Sequence, residues 1–400
     1  MTTASSTDIQ PYVGVLLTNR LINNLKKTSV NFPSYCRILE LAKEARAANV
    51  HLFFFASRNV DFKKKYINGI YLDFKKQRWM KKRFPFPHVL YDRLGSRNEK
   101  VLKLRKAMES EGVKKLNSMF YFNKWAVYED LSRIENVKPY LPETKLFTDE
   151  DSLEKFIDEN KVVYLKGVKS GKGKGVMQIK KVDNKYIYSH FKGMLTVNEA
   201  DSFAAMMEDI HNFYNQKADS RFILQKGIDL INYGGNNVDF RAEVQRDGEG
   251  NLDIVGVSAR IAIKNSPITI HSSAVKLDTF LTDYLHYSKE EMELKRDEII
   301  NFLHLIYHAL EEVYGYFGEI GIDFGLDKEG KIWFIEPNAK TAKVSLMKAH
   351  DHETYKKAFY NPISFSMFLA RQPDEWFKTH CGNFRAFEED ISLSCDEEDI

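Results

Sequence analysis

Two acids and an amide near the end of the chain, Asp323, Glu336 and Asn338, fall in a stretch that alternates apolar and polar residues. It stops at Asp327-Lys-Glu-Gly330 and alternates again. That pattern predicts a β-hairpin with a short glycine-containing turn. With Asp327 to Gly330 as the turn, Leu326 faces Lys331, Asp323 lies opposite Phe334, and Gly321 lies opposite Glu336. Side chains alternate across a strand, so Glu319, Gly321, Asp323, Glu336 and Asn338 share one face. Ile320, Ile322, Phe324, Trp333 and Ile335 share the other, as a core face. Asp323 and Glu336 become diagonal neighbours, roughly 7 Å apart at the backbone. Oxygens from few carboxylates suit Mg²⁺, which keeps water and substrate phosphates in its shell. The alternative is a hairpin whose solvated outer face happens to be acidic. A one-residue slip in register would separate the two acids onto opposite faces.

A second hairpin is expected upstream, Val238 to Arg246 and Leu252 to Ile263, turning at Asp247-Gly-Glu-Gly250. Arg241 then faces Gly256 and Arg260 faces Asn237. Arg241, Ser258 and Arg260 share a face with Asp239 and Glu243. Such guanidiniums can grip phosphate or carboxylate bidentately, or pair with Asp239 and Glu243 across the strands. Val162 to Val168 reads as a strand carrying Lys166. The glycine-rich run Lys169-Ser-Gly-Lys-Gly-Lys-Gly-Val176 follows, then a strand from Met177 to Lys181. Such a loop can fold over phosphates through its N–H groups, or be a hairpin tip kept soluble by lysines. It matches neither the P-loop nor the dinucleotide fingerprint. Asn123 can cap a helix to about Ile134, with Trp125, Tyr128, Leu131 and Ile134 inward. Lys124 falls in its first turn, where the helix dipole disfavours a cation unless an anion is also present. Otherwise it is a plain surface lysine.

The rest of the chain must position these groups. The 400 residues suggest two or three domains or lobes, and the 43% hydrophobic content is that of a packed globular protein. A net charge of +3 gives no overall field of a nucleic-acid coat protein, and no DNA partner is expected. Three cysteines without close spacing argue against a disulfide frame or a zinc site. No secretory pattern opens the chain and no run is long enough to span a membrane, so a cytoplasmic location is expected. Tyr12 to Leu17, Tyr35 to Asn49 and Val50 to Phe55 read as strand, helix and strand of a parallel unit. Val101 to Gly112 reads as a helix, with an edge strand near Phe120. Lys289 to Val313 reads as a long amphipathic helix leading into the carboxylate hairpin. His350-Asp-His352 reads as a loop rather than a metal pair. Residues 63–83 interleave lysines and arginines with aromatics. They form either a surface for an acidic peptide or RNA, or a solvated face with core aromatics between the charges.

Taken in order, these signals resemble the ATP-grasp superfamily from about Phe120 to Ser345. The segments Tyr12-Val-Gly-Val-Leu-Leu17, Gly69-Ile-Tyr71, Trp79, Phe84-Pro-Phe-Pro-His-Val-Leu-Tyr-Asp-Arg93 and Val238-Asp-Phe-Arg-Ala-Glu-Val-Gln-Arg-Asp247 are similar to its YheC/YheD-type, endospore coat-associated family. The resemblance implies an α+β fold of two lobes clasping ATP, preceded by an N-terminal α/β domain. It implies an N-terminal domain at 1–118, a small lobe at 119–222, a large lobe at 223–375 and an acidic tail at 376–400. Lys124 and Lys166 would contact the phosphates of ATP. Ser170, Gly171, Lys172, Gly173 and Gly175 would close over them. Gln225, Lys226 and Ile228 would hold adenine, and Asp229 is the candidate for the ribose. Asp323, Glu336 and Asn338 would bind Mg²⁺. Arg241, with Arg260 and Lys166, would steady the transferred phosphoryl group or the acyl phosphate. The implied activity is an ADP-forming carboxylate–amine ligase, its partners a small-molecule or peptide carboxylate and an amine or other nucleophile. A kinase or a non-catalytic nucleotide-binding protein of the spore coat are the alternatives. The loop Ala339-Lys-Thr-Ala-Lys343 departs from the small Pro/Gly loop of many relatives.

Overall fold

The computed structural model describes residues 10–382, apart from 28, 172, 174, 215–220, 265, 270–272 and 381. The chain builds three β-sheets, the first of them packed on both faces. In the first, strands Tyr12–Leu16, His51–Phe55, Val89–Asp92 and Lys114–Lys115 run parallel, as the strand–helix–strand pattern predicts. The strand expected near Phe120 ends earlier, at Lys115. The basic segment forms the antiparallel pair Tyr66–Asp73 and Arg78–Pro85. Lys81, Lys82 and Arg83 are exposed there while Trp79 and Phe84 are buried. Charges along an edge strand discourage pairing with other chains.

The second sheet is antiparallel and spans residues 144–226, with the Val162–Gly167 strand between Val176–Val182 and Phe222–Lys226. Helices Glu150–Asn160 and Phe203–Tyr214 close its core around Phe156, Ile179 and Met206. The third sheet contains both anticipated hairpins side by side: Asn236–Arg246 with Leu252–Ile261, and Glu319–Leu326 with Ile332–Asn338. The helix Lys289–Tyr314 lies across one face, packing Phe302, Leu303 and Ile306 on Val238, Phe240, Ala242, Ile320, Ile322 and Phe324. That leaves the polar face of the sheet turned toward the rest of the molecule. Among the described residues no helix is long and apolar enough to cross a membrane.

Both hairpins differ in register from the sequence reading, for one shared reason. The turns absorb an extra residue each: Asp247 N–H donates to Asn251 O, and Asp327 N–H to Lys331 O, both at 3.0 Å. The Asp247 and Asp327 carboxylates each accept two further backbone N–H groups inside their turns. Gly250 and Gly330 take φ of +86° and +83°, which only glycine adopts without strain. The slip pairs Phe324 with Phe334 and Leu326 with Ile332. Ile332 and Phe334 therefore join the core, and Trp333 and Ile335 do not. Trp333 instead donates its indole N–H to Asp327 at 2.7 Å. A bulge at Ile335 then restores the acidic face, setting Glu336 directly opposite Asp323 and Asn338 opposite Gly321. A matching bulge at Val255 sets Arg241 opposite Ser258 and Arg260 opposite Asp239, in place of Gly256 and Asn237.

Sequence reading missed one long helix, His352–Arg371. Asp351 caps it by accepting from Thr354 N–H at 2.9 Å, so His352 opens a helix rather than continuing a loop. Pro362 inside it breaks the local propensity, and tertiary packing against the Tyr35–Ala47 helix overrides that penalty. A short helix, Asp374–Thr379, follows, with Trp376 5.1 Å from Tyr316, so residues 376–379 are structured. Residues 383–400, most of the expected acidic tail, lie outside the described residues.

Candidate active site

The polar face of the third sheet is ordered in rows across its strands. Ser258, Arg241, Asp323 and Glu336 follow one another along one row. Arg241 donates to both carboxylate oxygens of Asp323, one of them at 2.7 Å. It therefore pairs with Asp323 on the next strand and not with Glu243 on its own. Arg260 grips Asp239 with two bonds of 2.7 Å and stands 3.3 Å from Asp323. Thr269 completes Asp239 with a bond of 2.8 Å. Asn338 reaches Asp323 at 3.4 Å.

Lys124 arrives from a helix packed into the third sheet's own core. Asn123 caps its helix, Lys124–Leu131, by accepting from Trp125 N–H at 3.0 Å, as predicted. Val127 and Leu131 rather than Trp125 and Tyr128 face the core, since they sit one helical turn apart on the packed side. The Lys124 ammonium lies 2.5 Å from Glu336, which is the anion that the helix start called for. Lys166 projects from the second sheet into the same cleft and donates to Gln225 at 2.6 Å. Gln225 in turn donates to Thr144 at 3.0 Å. Phe122, Leu141, Ile223 and Ile335 give this cleft apolar walls beside Lys124, Lys166 and Glu336.

Burial opposes ionisation of every acid here, and neighbouring cations decide the outcome. For Asp323, burial is outweighed by Arg241 and then Arg260, and the carboxyl stays below its usual range. Burial at Glu336 is likewise outweighed, chiefly by Lys124. Asp239 goes the other way: burial raises it despite Arg260. Burial also lowers Lys166 to about 8, against the pull of Glu336. Asp323 and Glu336 thus stay ionised at neutral pH. With Asn338 they offer oxygen donors only, a set that fits Mg²⁺. Among the described residues no three His, Cys, Asp or Glu converge on one point, so the amide and outside oxygens must complete any metal shell.

The glycine-rich loop overhangs from the second sheet. Ser170 Oγ donates to Gly167 O at 2.7 Å, and Gly167 N–H to Gly175 O at 3.1 Å. Gly173 and Gly175 take φ of +69° and +67°. Gly171 is exposed, and Lys172 lies outside the described residues. The base of the loop is tied to the helix of Lys124, whose N–H donates to Val168 O at 3.0 Å.

In the segment between the second and third sheets, Lys226 N–H is held by Glu143 O at 2.9 Å. Ile228 N–H finds no acceptor among the described residues, so it is available to a ligand. Gly227 is required, because a Cβ there would stand 2.6 Å from a Val162 methyl. Asp229 is not brought to the cluster. Its carboxylate is 71% exposed and pairs with Lys328 of the hairpin turn at 2.9 Å.

A second buried cluster adjoins the first. Glu319, fully buried, accepts from Tyr91 at 2.6 Å and from Arg93 at 2.5 Å, and pairs with Lys343. Arg93 also donates to Thr341 O at 2.7 Å, and Asn117 bonds Glu319 O and Ala339 O at 2.8 and 3.0 Å. Glu243 accepts from Thr341, and its second oxygen has no partner among the described residues. Alternation put Glu319 and Glu243 on this face. Nothing local in the sequence pointed to partners more than 200 residues away, as Arg93 and Asn117 are from Glu319.

Residues 112–369 match the model of the YheC/D like ATP-grasp domain. The chain is 26% identical over 374 residues to endospore coat-associated protein YheD of Bacillus subtilis (strain 168), covering 91% of this chain and 80% of that protein. Among solved structures, the VanG D-Ala:D-Ser ligase from Enterococcus faecalis superposes with a TM-score of 0.53 at 12% identity, over 90% of this chain and 100% of that one. The D-alanine-D-alanine ligase from Coxiella burnetii gives 0.52 at 9% identity, over 92% and 98%. At these identities the superpositions speak for the fold, which is ATP-grasp.

Proposed function

Since the chain belongs to the YheC/D like ATP-grasp family, we propose that it is an ADP-forming ligase that joins a carboxylate to an amine through an acyl phosphate. The observation that carries this reading is the row Arg241–Asp323–Glu336, met by Lys124 from its helix and by Lys166 from the second sheet. Lys124, Lys166, Ser170, Gly171, Lys172, Gly173 and Gly175 are assigned to the triphosphate. The backbone at Lys226 and Ile228, beside Gln225, is assigned to adenine. Asp229, turned toward Lys328, has the weakest support of the set. Asp323, Glu336 and Asn338 would hold Mg²⁺, which when bound supplies charge neutralisation at the phosphates.

A carboxylate oxygen of the substrate attacks the γ-phosphorus, and the bond to the ADP oxygen breaks. The amine nitrogen then attacks the acyl carbon, orthophosphate leaves, and the nitrogen gives up a proton. Such chemistry needs positioning and electrostatic stabilisation more than covalent help. Arg241 and Arg260, held in fixed geometry by Asp323 and Asp239, are the donors aimed at the developing charge. The test is a screen of carboxylate and amine pairs for ADP and phosphate release with an amide product. A stable phosphorylated product would make the protein a kinase instead. The printed name of its relative YheD favours one further reading, a coat-associated nucleotide-binding protein. Tight Mg²⁺-nucleotide binding with no turnover on any acceptor would select it.

A further inference from the structure

The carboxylates assigned to the metal already carry cations of the chain's own. Glu336 is 2.5 Å from the Lys124 ammonium, and Asp323 is held by Arg241 and faced by Arg260 at 3.3 Å. Lys166 lines the same cleft. These groups are mostly withdrawn from water: the side chains of Lys124 and Glu336 are 15% and 28% exposed, and those of Arg241 and Asp323 14% and 6%. Screening is weak in such a place. A bare divalent ion approaching Glu336 therefore meets a set of positive charges and must displace an ammonium at hydrogen-bond distance. A divalent ion accompanied by a triphosphate brings the negative charge that can draw the ammonium away. Lys124 is suited to this because its helix start is fixed to the base of the glycine-rich loop through Val168 O, while its long side chain can swing.

We propose that Lys124 is an internal counter-ion at Glu336 that bars the free divalent cation and is transferred to the phosphates when a metal–nucleotide complex enters. The site then takes metal and nucleoside triphosphate as one unit. This rests on the ligase reading only for its assignment of Glu336 to metal and Lys124 to phosphate. By linkage, whatever Lys124 costs the free ion reappears as the gain that nucleotide gives to metal binding.

The experiment titrates the full chain with Mn²⁺ and follows free Mn²⁺ by electron paramagnetic resonance, with and without β,γ-imido-ATP. Free Mn²⁺ should bind the unaltered chain weakly and bind far more tightly beside the nucleotide. Lys124→Met should bind free Mn²⁺ on the order of tenfold more tightly, and the tightening by nucleotide should shrink by a similar factor. Lys124→Arg, which keeps the charge, should behave as the parent does. Melting temperatures certify each fold, and Lys124→Gln serves if the methionine variant does not fold. Free Mn²⁺ affinity unchanged or weakened in a folded neutral variant overturns the inference and leaves the ligase reading standing. Failure of the unaltered chain to bind Mn²⁺ with β,γ-imido-ATP removes both.

Discussion

Glu336 stands directly across from Asp323 because Ile335 between it and Phe334 is an extra residue on its strand. Without that bulge, the register set by the turn would put Glu336 opposite Ile322, on the core side. Bulges near functional sites re-aim side chains in this way. Inserting an alanine between Ile335 and Glu336 should therefore leave a folded protein of lower stability that has lost Mg²⁺-dependent nucleotide binding, whereas deleting Ile335 keeps the acid opposite Asp323 and should keep that binding. Circular dichroism and calorimetric titration with Mg²⁺ and a non-hydrolysable nucleotide check the two halves of this outcome.

Glu336→Gln keeps size and hydrogen bonding but removes the charge that faces Lys124. Metal-dependent nucleotide affinity should fall by about two orders of magnitude, the effect expected when a key charged contact worth about 3 kcal/mol is lost. Asp323→Asn should lose as much binding and also melt lower. It leaves Arg241 and Arg260 buried with less compensating charge, a cost of about 3–5 kcal/mol. Nucleotide and Mg²⁺ bound by both variants as by the parent would end the assignment.

Lys166 gives a pH signature. Burial lowers it to about 8, below its usual 10.5, so the folded state favours the neutral amine. The unfolded chain holds that proton more tightly, so this group's contribution to stability rises with pH between about 8 and 10.5. Phosphate binding follows the opposite course, since the charge that attracts phosphate is lost above about 8. Nucleotide affinity should decline from there in the parent and stay level in Lys166→Arg. Equilibrium titrations across pH 7 to 9.5 measure it.

Gly227 is where the second and third sheets meet in sequence, and it has no room for a methyl group. Gly227→Ala places a carbon 2.6 Å from a Val162 methyl and 3.0 Å from its carbonyl oxygen. Overpacking of this kind costs about 1–3 kcal/mol. Urea unfolding should show that loss. Nucleotide binding should weaken too, because the shift displaces the N–H of Ile228 next to it, which has no acceptor among the described residues.

Much of this architecture could be read in advance, for reasons visible in single residues. Apolar alternation fixed which side of the Asn236–Arg246 strand is core: Val238, Phe240, Ala242 and Val244 are all fully buried. Asn123 capped its helix where a capping residue should stand. Register was harder, because the turns take in Asn251 and Lys331, each one residue beyond the glycine that seemed to end its turn. Two offsetting irregularities, a slip and a bulge, kept Asp323 and Glu336 on one face although the pairing was misjudged. Pro362 hid a helix whose stability comes from packing. Asp229 showed the limit of carrying a role by position: its neighbour in space, Lys328, lies almost a hundred residues on.

The clasp around Glu319 bears on where this protein can be cut. The stretch that matches the family model begins at residue 112, beyond both Tyr91 and Arg93. A fragment starting there would keep Lys343 and Asn117 but strip Glu319 of its phenol and its guanidinium, on the strand that also carries Asp323. The recognisable ATP-grasp portion is thus not free-standing. Its hub is held from outside, and amputating the first hundred residues would loosen the very strand that carries Asp323.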